Sequence, residues 1–131
     1  MKLALWIALG SALGGSARYL LADAALRLGP PAFPWDTLAV NILGSLLIGV
    51  VAALSATKGR IELSSEWRQF WMTGFCGGFT TFSIFSVQSL ALLQVNPGLG
   101  LLNLLATAIL CVWRHNSHQT LLQYLLKNTF L

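Results

Sequence analysis

The residues of this chain that could do chemistry are polar but uncharged, and they lie inside apolar stretches. Asn41 lies in one such stretch, and Thr80 and Thr81 follow Gly77-Gly78 in another. No Asp or Glu lies deep in any of these stretches, so a proton relay has no carrier, and no nucleophile is paired with a base. Amide, hydroxyl and backbone groups can hydrogen-bond an ion without exchanging protons. We therefore expect a passive ion path and no enzyme.

The composition predicts an integral, multi-pass membrane protein. Of the 131 residues, 56% are hydrophobic and only 9% are charged, far from the composition of a soluble domain. Windows of about 19 residues predict a single transmembrane domain, 1–131, with an all-α fold and four spans. The spans are 3–22, 37–56, 70–93 and 99–113, and a polar, amphipathic tail covers 114–131.

The basic residues and the cysteines predict no further site. The eight Lys and Arg are scattered singly, as in membrane flanks, and form no patch for nucleic acid. Cys76 and Cys111 both fall inside spans, where small buried thiols are more common than disulfides.

The third span is poorly suited to a continuous helix. Each glycine of Gly77-Gly78 costs about 1 kcal/mol relative to alanine, and the following Phe and Thr side chains have restricted rotamers. Unwound backbone at membrane depth is tolerated only where it faces protein or a watery cavity. We expect the third helix to break near its middle and to expose backbone groups to an ion.

Three polar features each have two interpretations. Arg18, near the end of the first span, either snorkels to the interface or attracts an anion into a vestibule. Asn41 either joins helices by hydrogen bonds or lines a pathway. A third feature, a weakly polar stripe on one face of the fourth span, serves either helix packing or conduction; it consists of Asn103, Thr107 and Cys111.

Three motifs in order carry a family resemblance. They are Gly14-Gly15-x-x-Arg18-Tyr19, then Thr37-Leu38-x-Val40-Asn41-x-x-Gly44-Ser45, then Gly74-Phe75-Cys76-Gly77-Gly78-Phe79-Thr80-Thr81-Phe82-Ser83-x-Phe85. Together they resemble the Fluc/CrcB family of bacterial fluoride channels, over about residues 9–93. The chain departs from the family pattern at Ile84, Gln88, Asn103 and Cys111.

The resemblance implies a fluoride-selective passive channel that exports fluoride across the bacterial inner membrane. It implies an antiparallel, dual-topology homodimer, with a central structural sodium ion held by the backbone carbonyls of Gly77 and Thr80 from both copies. Each dimer would contain two fluoride pores, and Arg18 would lie in a vestibule. The resemblance assigns to each pore the residues Phe82, Phe85, Asn41, Thr81, Ser83 and Thr107.

The partner and the function each have alternatives. If the N-terminus is cytoplasmic, most Lys and Arg collect on that side, which predicts a fixed orientation with both termini inside. A dual-topology protein has little such bias, so pairing with an inverted homologue stays open. A small multidrug-type exporter would need a membrane-embedded carboxylate, and a structural membrane subunit would use the glycines for packing alone.

Overall fold

The computed structural model describes residues 1–28, 32–56 and 63–128, and the secondary structure within these ranges is entirely helical. The loop charges Lys58, Arg60 and Glu62 lie outside the described residues. The helices, in chain order, are α1 (Lys2–Leu28), α2 (Trp35–Ala56), α3 (Ser65–Gln69), a π-helix (Phe70–Phe75), α4 (Cys76–Phe79), α5 (Ser83–Val95) and α6 (Pro97–Asn128).

The helix α1 packs closely along the π-helix and α4. A Cβ at Gly14 would overlap the backbone carbonyl oxygen of Phe75, so only glycine allows this approach. Ser11 Oγ also donates a hydrogen bond to the Gly74 carbonyl at 3.3 Å. The small residues of α1 therefore serve a close contact between two helix backbones.

The stretch that begins at α3 changes its helical form several times. Ser64 caps α3, because its side chain accepts a hydrogen bond from the Trp67 amide at 3.3 Å. The π-helix follows, and α4 then ends at Phe79. Thr80 adopts an extended conformation, with φ −77° and ψ 160°, and α5 begins at Ser83. Helical hydrogen bonding is thus interrupted just beyond the two glycines.

The helix α6 packs against α2 and α5. Asn103, only 1% exposed, donates from Nδ2 to Ser89 Oγ at 2.9 Å and so joins α6 to α5. The predicted fourth span ends at residue 113, whereas the helical backbone of α6 continues without interruption to Asn128. The side chains of the predicted tail, 114–131, lie outside the described residues.

Several of the helices are apolar. Among the described residues, Trp35–Ser55 and Ser65–Val95 are long and apolar enough to cross a bilayer, and Pro97–Trp113 is a shorter apolar helix. The helix α1 is not among them, because its glycines, serines and Arg18 lower its mean hydropathy.

Candidate functional site

The interruption between α4 and α5 is held open by a side chain from α2. Asn41 Nδ2 donates to the Thr81 carbonyl at 3.1 Å, and the Thr81 amide donates to Asn41 Oδ1 at 2.9 Å. Both residues are buried. One side-chain amide therefore satisfies both backbone groups of a residue that has left the helix, which buried backbone requires.

This clamp changes the hydrogen bonding of the neighbouring backbone. In a continuing helix the Thr81 amide would donate to the Gly77 carbonyl four residues earlier, but here it donates to Asn41. The Gly77 carbonyl thereby loses its usual donor. On the other side of the interruption, Thr81 Oγ1 accepts a hydrogen bond at 3.3 Å from the amide of Ile84, in the first turn of α5.

A groove of about 370 Å³ lies beside the clamp and brings most of the predicted pore residues together. The rings of Phe82 and Phe85 lie on it with centroids 5.9 Å apart and planes tilted by 49°. Phe82 is 79% exposed, although it is a large aromatic side chain. The lining residues are Asn41, Ser45, Thr80, Thr81, Phe82, Phe85, Thr107, Ala108, Cys111 and Val112.

Two hydrogen-bond donors that line this groove are free to bind a ligand. Thr107 is 7% exposed, and its Oγ1 has no hydrogen-bond partner among the described residues. Asn41 uses one of its two amide N–H groups on Thr81, which leaves the second. No Asp or Glu lines the groove. The groove therefore combines neutral donors with aromatic ring edges, which carry partial positive charge.

The structure separates some residues that the sequence groups together. Thr107 and Cys111 line the groove, whereas Asn103, from the same predicted stripe, bonds to Ser89 and joins helices. Ser83 lies exposed at the start of α5 and is not part of the lining. The stripe thus serves packing at one end and the groove at the other.

Arg18 lines a second cavity, of about 210 Å³, which Thr81 also lines. Asp36 and Thr37, from the first turns of α2, line this cavity together with Arg18. Thr81 lines both this cavity and the ring-lined groove. The predicted vestibule and the predicted pore therefore share a lining residue.

A third groove, of about 220 Å³, contains Gly77 and Thr80. A Cβ built at Gly77 would meet nothing within 4 Å, so this face of α4 is open. A carbonyl without its helical donor suits a hard cation, which prefers oxygen ligands. One copy of the chain places both predicted residues, Gly77 and Thr80, on this groove, and no group of three or more His, Cys, Asp or Glu that could hold a metal occurs among the described residues.

Helix joining by hydrogen bonds was one of the two interpretations of Asn41, and the bonds to Thr81 bear it out, but the sequence did not predict the partner. The pattern identified Asn41 as a buried polar residue, but its partner, Thr81, lies forty residues away along the chain. Two features of the sequence could have indicated the pair: α2 contains a single side-chain amide, and the interrupted backbone needs both a hydrogen-bond donor and an acceptor.

Comparison with known proteins extends these observations. The family model described as "CrcB-like protein, Camphor Resistance (CrcB)" matches residues 5–115. A fluoride-specific ion channel FluC of Paramagnetospirillum magneticum is 47% identical over 111 residues, which cover 82% of this chain and 87% of that protein. The FluC of Rhodospirillum rubrum is 43% identical over 109 residues, covering 82% and 84%. FluC 1 of Rhodopseudomonas palustris is 51% identical over 96 residues, covering 73% and 68%. The chain, with its apolar helices, therefore belongs to the CrcB-like family and is a membrane protein.

Proposed function

We propose that this protein is a fluoride-selective passive ion channel of the bacterial inner membrane. The observation that carries the proposal is the groove in which Asn41, Phe82, Phe85 and Thr107 meet without an acidic group. The relatives, named as fluoride-specific ion channels, support the choice of ion. A small, strongly hydrated anion needs donors that replace its water, and the groove supplies them from neutral groups.

The groove favours an anion over a cation for electrostatic reasons. The Thr107 hydroxyl and the second N–H of Asn41 can donate to an anion. The edges of the two phenylalanine rings carry partial positive charge, whereas their faces would repel an anion. Ser83 lies outside this lining. We therefore assign the polar contacts of the path to Thr81 and Thr107 in preference to Ser83.

Passive conduction is enough to export fluoride. Hydrogen fluoride crosses membranes in its neutral form and dissociates in the less acidic cytoplasm, which traps the anion. A membrane potential that is negative inside drives an anion outward by about 2.3 kcal/mol per 100 mV. The proposed channel therefore needs neither a proton carrier nor a nucleotide site.

We further propose that the working unit is an antiparallel, dual-topology dimer with two pores. Each chain would cross the membrane four times, with Ser65–Val95 as one span interrupted between Phe79 and Ser83. Phe82 is 79% exposed in the single chain, and the face of α4 at Gly77 is open. A second copy, related by a two-fold axis in the membrane plane, would cover both features through a self-complementary interface.

A structural sodium ion at the dimer axis fits the same residues. The Gly77 carbonyl lacks its helical donor, because the Thr81 amide is used by Asn41. Two copies would present four oxygens, from Gly77 and Thr80 of each chain, to a hard monovalent cation. The cation would offset repulsion between the backbone carbonyls that two interrupted helices bring together.

The proposal is tested by ion efflux from liposomes that contain the purified protein. With a potassium gradient and an ionophore to carry the counter-charge, a fluoride electrode and a chloride electrode report the two anions separately. We expect fluoride efflux and retained chloride. Equal efflux of both anions, or none of either, would contradict a fluoride channel.

A further inference from the structure

A fourth groove, of about 340 Å³, lies between the last turns of α2 and the stretch that runs from α3 into the π-helix. Its lining consists of Ala52, Ser55, Arg68, Gln69, Met72 and Thr73. It shares no lining residue with the ring-lined groove or with the Arg18 cavity. The proposed ion path therefore leaves this groove without a role.

The groove lies at the level where two apolar helices leave the membrane. The apolar stretch of α2 ends at Ser55, and the next apolar stretch begins at Ser65, shortly before Arg68. Both stretches are long enough to cross a bilayer. The two ends that meet at this groove therefore lie at the depth of the lipid headgroups.

A cluster of aromatic rings lies at the same level. The ring centroid of Trp67 lies 5.5 Å from that of Trp6 and 5.6 Å from that of Phe70. Trp67, which directly precedes Arg68, is 46% exposed. Tryptophans are enriched at the headgroup level, because the ring is apolar and its N–H needs a polar partner. The cluster therefore supports a headgroup depth for Arg68.

Two side chains of the lining can donate hydrogen bonds to an anion. The Arg68 side chain is exposed and forms no ion pair within the part of the chain that the structure describes, whereas Arg27 pairs with Asp23 at 2.8 Å. Thr73 Oγ1 donates to Gln69 Oε1 at 2.5 Å, so the oxygen of that amide is occupied and its N–H groups are left for a ligand. No Asp or Glu is among the described residues that line the groove.

The lining becomes apolar towards the membrane interior. On α2, Ala52 lies about one turn deeper than Ser55. On the opposite wall, Met72 lies about one turn deeper than Arg68. Thr73 is about as deep as Met72, but its hydroxyl already donates within the protein. Both walls thus change from polar to apolar in the same direction, which is the order of phosphate and acyl chains in a phospholipid.

We infer that this groove binds one anionic phospholipid. The guanidinium of Arg68 forms paired hydrogen bonds with the lipid phosphate, and the Gln69 amide donates a further one. An acyl chain begins against Ala52 and Met72, which lie deeper than these donors. A lipid with a net negative charge is preferred, because the cation of a zwitterionic headgroup competes with Arg68 for the phosphate. The inference does not depend on which ion the protein conducts.

Three other interpretations of the groove give different results. Arg68 could extend into the headgroup region without selecting a lipid, as basic residues at the ends of membrane spans do. The groove could bind inorganic phosphate alone. The second copy of the proposed dimer could cover it, since Met72 also lines the Gly77 groove.

The test counts the lipids that stay bound to the purified protein by native mass spectrometry. Phosphatidylglycerol is compared with phosphatidylcholine of the same acyl chains, with and without excess inorganic phosphate. The variants are Arg68→Gln, Arg68→Lys and Ala52→Leu. Arg27→Gln is the matched control, because it also removes an exposed cation near a helix end but does not line this groove. Crosslinking in membranes measures the dimer fraction of each protein.

We expect the wild-type protein to retain phosphatidylglycerol several-fold better than phosphatidylcholine, and Arg68→Gln to lose this preference. Arg68→Lys keeps the charge without the paired geometry and should retain part of the preference, whereas Arg27→Gln should retain all of it. Ala52→Leu fills the apolar part of the groove and should lower the retention of phosphatidylglycerol. Inorganic phosphate should displace little of the lipid, because it makes no contact with the apolar part.

Three results would each overturn the inference. Equal retention of the two lipids by the wild-type protein, or equal retention of phosphatidylglycerol by the wild-type protein and Arg68→Gln, would show that Arg68 selects no lipid. Displacement by inorganic phosphate, together with wild-type retention in Ala52→Leu, would identify a phosphate site instead. A lower dimer fraction in Arg68→Gln would assign the groove to the interface between copies. Fluoride efflux is measured separately, so a failure of the proposed function leaves the lipid result unaffected.

Discussion

Asn41 and Thr81 are joined by two hydrogen bonds that run in opposite directions, one of 3.1 Å to the Thr81 carbonyl and one of 2.9 Å from the Thr81 amide. The pair connects α2 to the point where α4 has ended and α5 has not begun. The pair fixes backbone that lines three spaces. Thr81 lines both the ring-lined groove and the Arg18 cavity, and the neighbouring Thr80 lines the Gly77 groove.

Replacing Asn41 with alanine should therefore lower both stability and flux. The change leaves a buried amide and a buried carbonyl of Thr81 without partners, and we expect a loss of about 2 kcal/mol in unfolding free energy. Thermal unfolding in detergent measures the stability. Asn41→Asp keeps the acceptor for the Thr81 amide but places a second acceptor against the Thr81 carbonyl, so it should be destabilised as well. An Asn41→Ala protein with wild-type stability would show that the clamp contributes nothing.

Thr107 should affect flux and not stability. Its buried hydroxyl has no partner among the described residues, so Thr107→Val removes a donor without breaking a bond inside the protein. A hydrogen bond to a charged group contributes about 1.5–3 kcal/mol, which predicts a loss of fluoride flux of about tenfold or more. Thr107→Ser keeps the hydroxyl and should restore most of the flux. Unchanged flux in Thr107→Val would remove this residue from the path.

Gly77 and Gly14 should respond differently to alanine. A methyl group at Gly77 meets nothing within 4 Å in one chain, and alanine favours helix by about 1 kcal/mol, so the chain itself should fold. We expect Gly77→Ala to reduce the dimer fraction, measured by crosslinking in membranes, because the added methyl occupies the proposed interface. In Gly14→Ala the methyl overlaps the Phe75 carbonyl, so the single chain should be destabilised. A fully dimeric, fully active Gly77→Ala protein would argue against an interface at this face.

Asp36 should oppose anion entry at the Arg18 cavity. The two side chains line the same space, and no ion pair between them is present in the described part of the chain. We expect Asp36→Asn to raise fluoride flux and Arg18→Gln to lower it at low ionic strength, with both effects weakened at high salt. Asp36 also lies in the first turn of α2, where a carboxylate favours the helix by about 0.5 kcal/mol. A slightly lower unfolding temperature of Asp36→Asn is therefore expected, whereas unchanged flux would place this cavity off the ion path.

Local sequence signals predicted much of the site, since each residue of Phe79-Thr80-Thr81-Phe82 is a weak helix former after two glycines. They could not say what the glycines contact. A Cβ at Gly78 would overlap the Ser11 carbonyl oxygen of α1, whereas Gly77 faces open space. The two neighbours have the same local propensity and opposite surroundings, so only the packing of α1 distinguishes them.

The sequence also could not predict which side chains on different helices bond to each other. Helical spacing correctly places Asn103 and Thr107 on one face of α6, but Ser89 of α5 reaches only Asn103. Thr107, one turn further along, is left to face the groove. Periodicity fixes the direction of a side chain, whereas the crossing of α5 over α6 decides which side chain finds a partner.

The central claim is that the ring-lined groove is the fluoride path, and fluoride efflux through Phe82→Ile tests it most directly. Phe82 is 79% exposed, so the change removes a ring with little effect on the fold of the single chain. Val87→Ala is the matched control, because Val87 is also exposed on α5 but does not line the groove. We expect liposomes with Phe82→Ile to lose most of their fluoride efflux while those with Val87→Ala keep it. Wild-type efflux from a correctly folded Phe82→Ile protein would contradict the account.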